Sequence, residues 1–436
     1  MQTHCITEAL AIEDKDINVI DVYKKEGVRY LVVARDKAMH QCPRCGKPTQ
    51  RVHDYRTRTI THAAYTAEKG VLLYRRRRYV CGACGKRFPE RNAFVGRYER
   101  ISYYTKLSIL KDYGSEDSFK RLAERHHVSS STVIRQGERH INPKRLTLPE
   151  VLSIDEFKNA RTGKGKYACL LADPIRKRPL DVLPTRRIDT LRTYFSRIPK
   201  EERAKVKYVT GDLWDPYRRI VKTAFPNAIY IADKFHFARY IYWALNDVRI
   251  RVMKQQRKGS VRYHILKKHW KLMNKYTFSL SLRHFYDYKL RHRITPREIV
   301  DMARQTHPDL KKAIDLKDTF HEALSTMTRD EATTFIDEFI HQLRHSRVPE
   351  LRNVIKTFRN WKQEIINAFP VINPRTGEIL EPALNNAVIE GFNNKIKVIK
   401  RVSYGFRNFW NFRRKIMTAF NPEVAFTFSK LIEKAS

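Results

Sequence analysis

Four of the six cysteines constrain this chain more than any other feature. They form two Cys-x-x-Cys-Gly units, Cys42-Pro43-Arg44-Cys45-Gly46 and Cys81-Gly82-Ala83-Cys84-Gly85. Two residues between thiolates let both sulfurs of a pair reach one tetrahedral ion, and the glycine lets the backbone turn tightly behind them. Two such pairs make an all-cysteine site for one structural Zn²⁺, as in zinc ribbons. The stretch between the pairs is longer than in the shortest zinc motifs, so a hairpin has to fit there. Val71-Leu72-Leu73-Tyr74 reads as one of its strands. Free thiols or a redox pair are the competing readings. His53 and His62 lie in the same stretch, but two full cysteine pairs leave no vacancy for them. Cys5 and Cys169 have no partner in spacing, and Cys169 sits in an apolar run that reads as core. A closed site with four thiolate ligands is structural, so no catalysis is assigned to it.

Charge narrows the partners. There are 87 Lys and Arg against 46 Asp and Glu, a net charge of +41. Such a balance favours nucleic acid or an acidic surface, with a merely basic, solvated surface as the bland alternative. The run Arg75-Arg76-Arg77-Arg78 behind the strand is assigned to DNA contact. Hydrophobic content of 42% and aromatic content of 11% exclude a disordered chain and allow two to four domains. No run of 18 apolar residues exists, so no transmembrane helix is expected. The first residues lack a basic segment followed by an apolar block, so no signal peptide is expected either. The expected location is the cytosol, where thiols stay reduced.

The next segment has the pattern of a helix-turn-helix. Ser118 to Arg125 reads as a helix with Phe119, Leu122 and Ala123 inward, and His127-Val128-Ser129 as the turn. Ser130-Ser131-Thr132 opens a second helix with hydroxyls available as N-cap, and Val133 or Ile134 is buried. Glycine is common where His127 stands, and histidine tolerates positive φ better than most residues. In this reading Ser130, Ser131, Thr132 and Arg135 face the major groove or its phosphates. An ordinary helical hairpin is the alternative.

From Val151 the pattern turns to strands. Val151 to Asp155, Tyr167 to Ala172 and Leu180 to Leu183 are short apolar runs joined by turns at Gly163-Lys164-Gly165 and Asp173-Pro174, an antiparallel meander. A helix near Ile188 to Arg197, a strand at Val206 to Thr210, a helix near Pro216 to Ala224 and a strand at Ala228 to Ile231 follow. This is the order of an RNase H-like fold, whose first and fourth strands lie side by side. That arrangement brings together Asp155 and Asp212, which end two of these strands. Asp215 precedes Pro216 at a helix start and reads as a cap rather than as the second acid. A third carboxylate, Glu390, sits on a helix with Ile389, Phe392, Ile396 and Ile399 toward the sheet. Asn386, Glu390, Asn394, Lys397 and Arg401 form its polar stripe. Three carboxylates able to hold Mg²⁺ beside phosphates suggest phosphodiester chemistry. Between Asp212 and Glu390 the pattern is helical and basic, with Lys254, Arg257, Lys258, Arg262, Lys267, Lys268 and Lys271 crowded together. That charge is a DNA-clamping surface or simple solvation.

The expected fold is therefore a multidomain α/β chain. A zinc-ribbon domain covers 1–97 and a helix-turn-helix 98–146. The RNase H-like core is split into 147–240 and 381–436, the second part carrying a C-terminal helix. An all-helical insertion fills 241–380.

With these motifs in order, the chain resembles bacterial insertion-sequence transposases of the ISL-three type, in the DDE superfamily. The resemblance runs from the two zinc knuckles and the helix-turn-helix through Ser153-Ile154-Asp155-Glu156, Gly211-Asp212 with Tyr217, and Ala232-Asp233-Lys234-Phe235-His236. It continues through Glu390-Gly391-Phe392-Asn393-Asn394-Lys395-Ile396-Lys397 to Lys400-Arg401 and Tyr404-Gly405-Phe406. Ala387 stands where such sequences often have glycine, and no catalytic role rests on it. The resemblance implies that Asp155, Asp212 and Glu390 are the DDE triad, holding two Mg²⁺ or Mn²⁺ ions for DNA cleavage and strand transfer. Partners implied are the element's terminal inverted repeats and target DNA, bound by a homodimer on paired ends. Asp233, His236, Asn394 and Lys397 are secondary active-site candidates, with helix capping the competing role for Asp233. Lys400 and Arg401 are assigned to DNA contact. Two other functions stay open: a catalytically silent DNA-binding regulator derived from a transposase, and a stand-alone RNase H-type nuclease.

Overall fold

The structure, a computed structural model, describes residues 10, 12, 14, 16–63, 68–160, 165–373, 375–381, 383, 384 and 386–421. Within the turn expected at 163–165, Gly163 and Lys164 lie outside the described residues.

The N-terminal region is larger than a ribbon. Strands β1 (Ile17–Lys25) and β2 (Val28–Arg35) form a hairpin, turning where Glu26 and Gly27 both take positive φ, 49° and 75°. Two further short strands, β3 (His40–Gln41) and β4 (Pro48–Thr49), bracket the first cysteine pair. Strands β5 (Val52–Thr61), β6 (Lys69–Val80) and β7 (Arg87–Pro89) follow, and β6–β7 brackets the second pair. The sheet runs β1-β2-β6-β5, with β7 also on β6. Leu31, Val33, Ile60, Leu72 and Tyr74 form its core with Phe94 and Val95.

Three helices come next: α1 (Tyr103–Asp112), α2 (Phe119–Arg125) and α3 (Ser130–His140). They share a core of Ile109, Tyr113, Leu122, Ala123 and Val133. His127 takes φ 52° in the turn between α2 and α3. The cap of α3 is Ser129, a residue expected in the turn, whose Oγ accepts from the Thr132 N–H. Thr132 is thereby a correction: it is buried, within reach of Ser129 Oγ at 2.9 Å, rather than facing outward. Ser130 is half-buried, while Ser131 and Arg135 are exposed. Gly137 packs so close to Tyr113 that a Cβ would meet the ring at 2.3 Å.

The central sheet has strands β8 (Val151–Lys158), β9 (Tyr167–Asp173), β10 (Arg178–Leu183), β11 (Tyr208–Gly211) and β12 (Ile229–Ala232) in the order β10-β9-β8-β11-β12. β8, β9 and β10 are antiparallel neighbours, whereas β8, β11 and β12 run parallel. Helices α4 (Ile188–Ser196), α5 (Lys200–Arg203) and α6 (Asp215–Ala224) make the crossovers. Trp214, not Asp215, is the N-cap of α6; Asp215 sits in its first turn, paired with Arg218 at 2.8 Å and Arg219 at 2.5 Å. The period of two along each strand sorts the faces. Leu152, Ile154, Cys169 and Leu171 enter one core, and Phe157, Ala168, Leu170 and Ala172 the other.

The first of these cores continues without a break into the following helices, α7 (Lys234–Gln255), α8 (Val261–Lys268), α9 (Trp270–Met273), α10 (Pro296–Arg304), α11 (Pro308–Thr326), α12 (Arg329–His345), α13 (Pro349–Asn360) and α14 (Lys362–Ile366). Helix α7 crosses the boundary drawn at 240/241, because its buried stripe begins at Phe237 and runs to Val252. The insertion is also not wholly helical. Hairpins β13–β14 (Phe285–Asp287, His292–Ile294) and β15–β16 (Val371–Ile372, Ile379–Glu381) lie within it. The second core is closed by α15 (Ala387–Val402) and α16 (Phe409–Phe420). Arg414 of α16 donates to the Ile141 carbonyl behind α3 at 2.8 Å, which ties the helical unit to the sheet. No helix among the described residues is long and apolar enough to cross a membrane.

Candidate active site

Two clusters of ligand-type side chains sit where the sequence places them. The first is the cysteine site. All four sulfurs of Cys42, Cys45, Cys81 and Cys84 lie within 4.8 Å of one another. Cys42 and Cys84 are 3.5 Å apart, and Cys45 and Cys81 3.6 Å. A tetrahedron with metal–sulfur bonds of about 2.3 Å has edges of roughly 3.8 Å, so the cradle fits zinc. Gly46 and Gly85 take φ 72° and 68°, the turns the knuckles need. Burial works to raise the Cys42 thiol, yet the N–H groups of Cys45 and Arg44 and the facing sulfurs bring it down to about 6. His62 is engaged elsewhere, with Ser102 Oγ at 2.9 Å and the Leu10 carbonyl at 2.7 Å.

The second cluster is acidic and lies at the ends of the parallel strands. Tyr208–Thr210 of β11 pair with Val151–Ser153 of β8, and Ser153 Oγ meets Thr210 Oγ1 at 2.6 Å. Asp155 and Asp212 follow these paired residues, and their oxygens fall within 4.8 Å together with one from Glu156. The sequence explains the close approach. Gly211 has no room for a side chain, since a Cβ would meet the Tyr230 hydroxyl at 2.6 Å. That hydroxyl donates to the Asp212 carbonyl at 2.6 Å and fixes the turn that carries the acid.

Each carboxylate has a distinct environment. Asp155 accepts from the Glu156 N–H and from the Asn393 amide, both at 2.7 Å. Burial, and then the neighbouring Asp212, push Asp155 up to about 7. The Oδ1 atom of Asp212 is buried and accepts no hydrogen bond. His236 Nε2 lies 3.0 Å from that atom as an ion-pair partner, at an angle outside hydrogen-bond geometry, and 3.8 Å from Asp233. Burial works against the charged imidazole, but Asp212 and Asp233 hold His236 above its ordinary value. Asp233 stands at the N-cap of α7 without a side-chain capping bond, and burial raises its carboxyl. Two half-buried carboxylates whose oxygens lie within 4.8 Å of one another suit a divalent cation bound by hard oxygens.

Glu390 is exposed and belongs to none of the metal-type groups among the described residues. Helix geometry puts it between Asn386 and Asn393, and those two amides reach the sheet at Thr210 and Asp155. Asn394 is exposed and accepts from Lys397 at 3.4 Å. The amide that reaches Asp155 is its neighbour Asn393, one position from the residue the polar stripe singled out. Two further residues were missed. Glu156 is paired with Arg186, and the guanidinium stacks on Trp214 at 4.5 Å and Tyr167 at 4.7 Å. The Asp155-Glu156 doublet was the signal for the first; nothing local marked Arg186.

Among the cations assigned to DNA, Arg75 is exposed, while Arg76, Arg77 and Arg78 are half-buried with internal partners at Glu90, Arg35 and Asp54. Lys400 donates to the Lys158 and Asn159 carbonyls, at 2.9 and 2.5 Å, and so serves as an internal clamp. Arg401 is exposed.

Comparison with known proteins bears directly on this geometry. A transposase family model of the ISL3 type matches residues 152–416, more than half of the chain, including all three candidate acids. The chain belongs to this transposase family. A second model, for the zinc finger of the transposases of IS204, IS1001, IS1096 and IS1165, matches residues 38–84 and encloses the four cysteines of the transposase. The transposase is 26% identical over 390 residues to the "Transposase for insertion sequence element IS1001" of Bordetella parapertussis, covering 87% of this chain and 88% of that one. A shorter similarity, 28% identity over 125 residues, reaches a Lactococcus lactis subsp. lactis protein named "ATP-dependent protease". It spans 28% of this chain and 35% of that one, too little to carry a functional argument.

Proposed function

We propose that this transposase binds the ends of its insertion sequence and catalyses divalent-metal-dependent DNA strand cleavage and transfer. The observation that carries the reading is the pair Asp155 and Asp212 at adjacent parallel strand ends, with carboxylate oxygens of both within 4.8 Å of one another and His236 beside Asp212 at 3.0 Å. The β10-β9-β8-β11-β12 order supports an RNase H-like core. The α2–α3 pair, with its turn at positive φ, supports a helix-turn-helix that presents Ser131 and Arg135.

Asp155, Asp212 and Glu390 would hold Mg²⁺ or Mn²⁺. Bound there, the ion supplies Lewis-acid charge at a phosphoryl oxygen and acidifies a water. The chain's own residues set the conditions. Asn393 orients Asp155, and Tyr230 fixes the backbone of Asp212. His236 balances charge beside Asp212 and Asp233. Lys397 and Arg401 add positive charge on the same helix as Glu390, where phosphates need it.

Incubating the full chain with Mg²⁺ and labelled duplexes carrying the sequences that flank its own gene tests the reading. Nicking at the element boundary is the expected product. Boundary binding with no cleavage in Mg²⁺ or Mn²⁺, on single or paired ends, would shift the reading to a regulator. An Asn393→Ala variant is expected to cleave about 10- to 100-fold more slowly, the usual cost of removing a partner that orients a ligand. Its half-saturating Mg²⁺ concentration should rise while end affinity holds. An unchanged metal dependence would take Asn393 out of the site.

A further inference from the structure

We propose that the cavity beside β8 and α15 takes one unpaired nucleobase of the DNA end, with Tyr404 as its stacking wall; this rests on the DNA-processing function proposed above. The cavity measures about 780 Å³, within the usual range of about 300–1,000 Å³ for small-molecule sites. Its floor is apolar, made by Phe157, Ala160 and Ile396. Its rim is cationic, with Lys158, Lys166, Lys397 and Arg401. An apolar floor below a cationic rim matches the two halves of a nucleotide, a planar base and its phosphates.

Tyr404 completes the match. Its side chain is almost wholly in solvent, at 99% exposure, although a phenol ring gains from burial. Its backbone is nevertheless fixed. Tyr404 takes φ 52° and Gly405 φ 90° in the turn that ends α15. The Tyr404 N–H donates to the Arg401 carbonyl at 3.0 Å, and the Gly405 N–H to the Lys400 carbonyl at 2.9 Å. The Lys400 clamp then ties this turn to the end of β8. The backbone that carries the ring is thus fixed beside the cavity, and the ring has no apolar cover of its own. Phe157 lies two residues past Asp155, about 7 Å along a strand, so a base held here belongs to a nucleotide close to the reacting phosphate. A paired base shows only its edges, because its neighbours cover both faces. Only a base out of the stack offers its face to Tyr404.

The test uses the full chain and duplexes with its own flanking ends, either fully paired or with single mismatches scanned across the boundary. For the wild type, one boundary mismatch is expected to raise affinity about tenfold, in line with the strength of base–aromatic stacking. Tyr404→Ala should lose that gain, Tyr404→Phe should keep it, and both should bind the fully paired end as the wild type does. A mismatch gain that survives in Tyr404→Ala, or that appears at no position, overturns the proposal while leaving end binding intact. Failure of the wild type to bind either duplex above a scrambled sequence overturns the DNA-processing reading and the proposal with it.

Discussion

An Asp212→Asn transposase is expected to lose strand cleavage by at least about 10³-fold and still bind its DNA ends. The size follows from charge. A metal ion at a phosphoryl centre supplies several kcal/mol of transition-state stabilisation, and about 4 kcal/mol is a factor of about 10³. Asparagine keeps the shape and removes the negative charge from a buried atom that accepts no hydrogen bond. Folding should survive, because the acid repels Asp155 and its loss relieves that repulsion. The Tyr230 bond is to the backbone carbonyl and is unaffected. Cleavage of labelled ends, thermal melting and end affinity, measured together, separate the outcomes. Residual cleavage within tenfold of wild type would remove Asp212 from the site. Asp155→Asn should behave alike, and Glu390→Gln should show whether the exposed helix acid acts with them.

The central sheet was legible because its strands are short apolar runs with a period of two, and because each acid closes such a run. Val151 to Asp155 and Val206 to Asp212 needed only the topology to bring them together, and the strand order does so. The cysteine cluster was legible from spacing alone. The N-terminal hairpin β1–β2 was not read from the sequence, although both of its strands are rich in β-branched and aromatic residues; most of Ile17–Lys25 lies exposed at the sheet edge. The extent of the insertion was misjudged for the opposite reason. Its helices are amphipathic toward the sheet's own core, so no boundary in composition exists near residue 240.

Side-chain register was the weakest point. On α15 the polar positions Asn393 and Asn394 differ by one step of about 100° around the helix. Only contact with β8 decides which of them meets Asp155. Thr132 was misplaced by the same kind of ambiguity. A run of four hydroxyl residues, Ser129 to Thr132, can offer its cap from any of them, and the chain uses the first. The arginine run does not act as a block, because Arg76, Arg77 and Arg78 all find partners within the protein. Arg75 is exposed, its guanidinium 5.8 Å from the Tyr55 ring, while its neighbours close contacts with Glu90, Arg35 and Asp54.

Cys42→Ser should leave the protein without its zinc, about one ion per chain in the wild type, and with an unfolded N-terminal tip. The local apolar cluster is small, Cys42, Tyr79, Cys81 and Phe88 with Val52 and Cys84 against it. Each fully buried large side chain contributes about 1.5–3 kcal/mol, and half of this cluster is the ligands themselves. A structural zinc site is worth about 10–16 kcal/mol in comparable small modules, so the ion dominates the tip's stability. The loss should stay local at first. The sheet core at Leu31, Leu72 and Tyr74 and the two cores around the acid pair are separate from the tip. A melting curve should therefore gain an early transition while the main one holds. End affinity should fall, because β6 carries Arg75 to Arg78 directly into the second knuckle. Elemental analysis of protein purified without chelator decides the point. Zinc-free wild-type protein with an unchanged melting curve and full end binding would leave the four sulfurs as packed thiols. Zinc retained at full occupancy when Cys42, Cys45, Cys81 and Cys84 are all changed to serine would place the ion on other ligands.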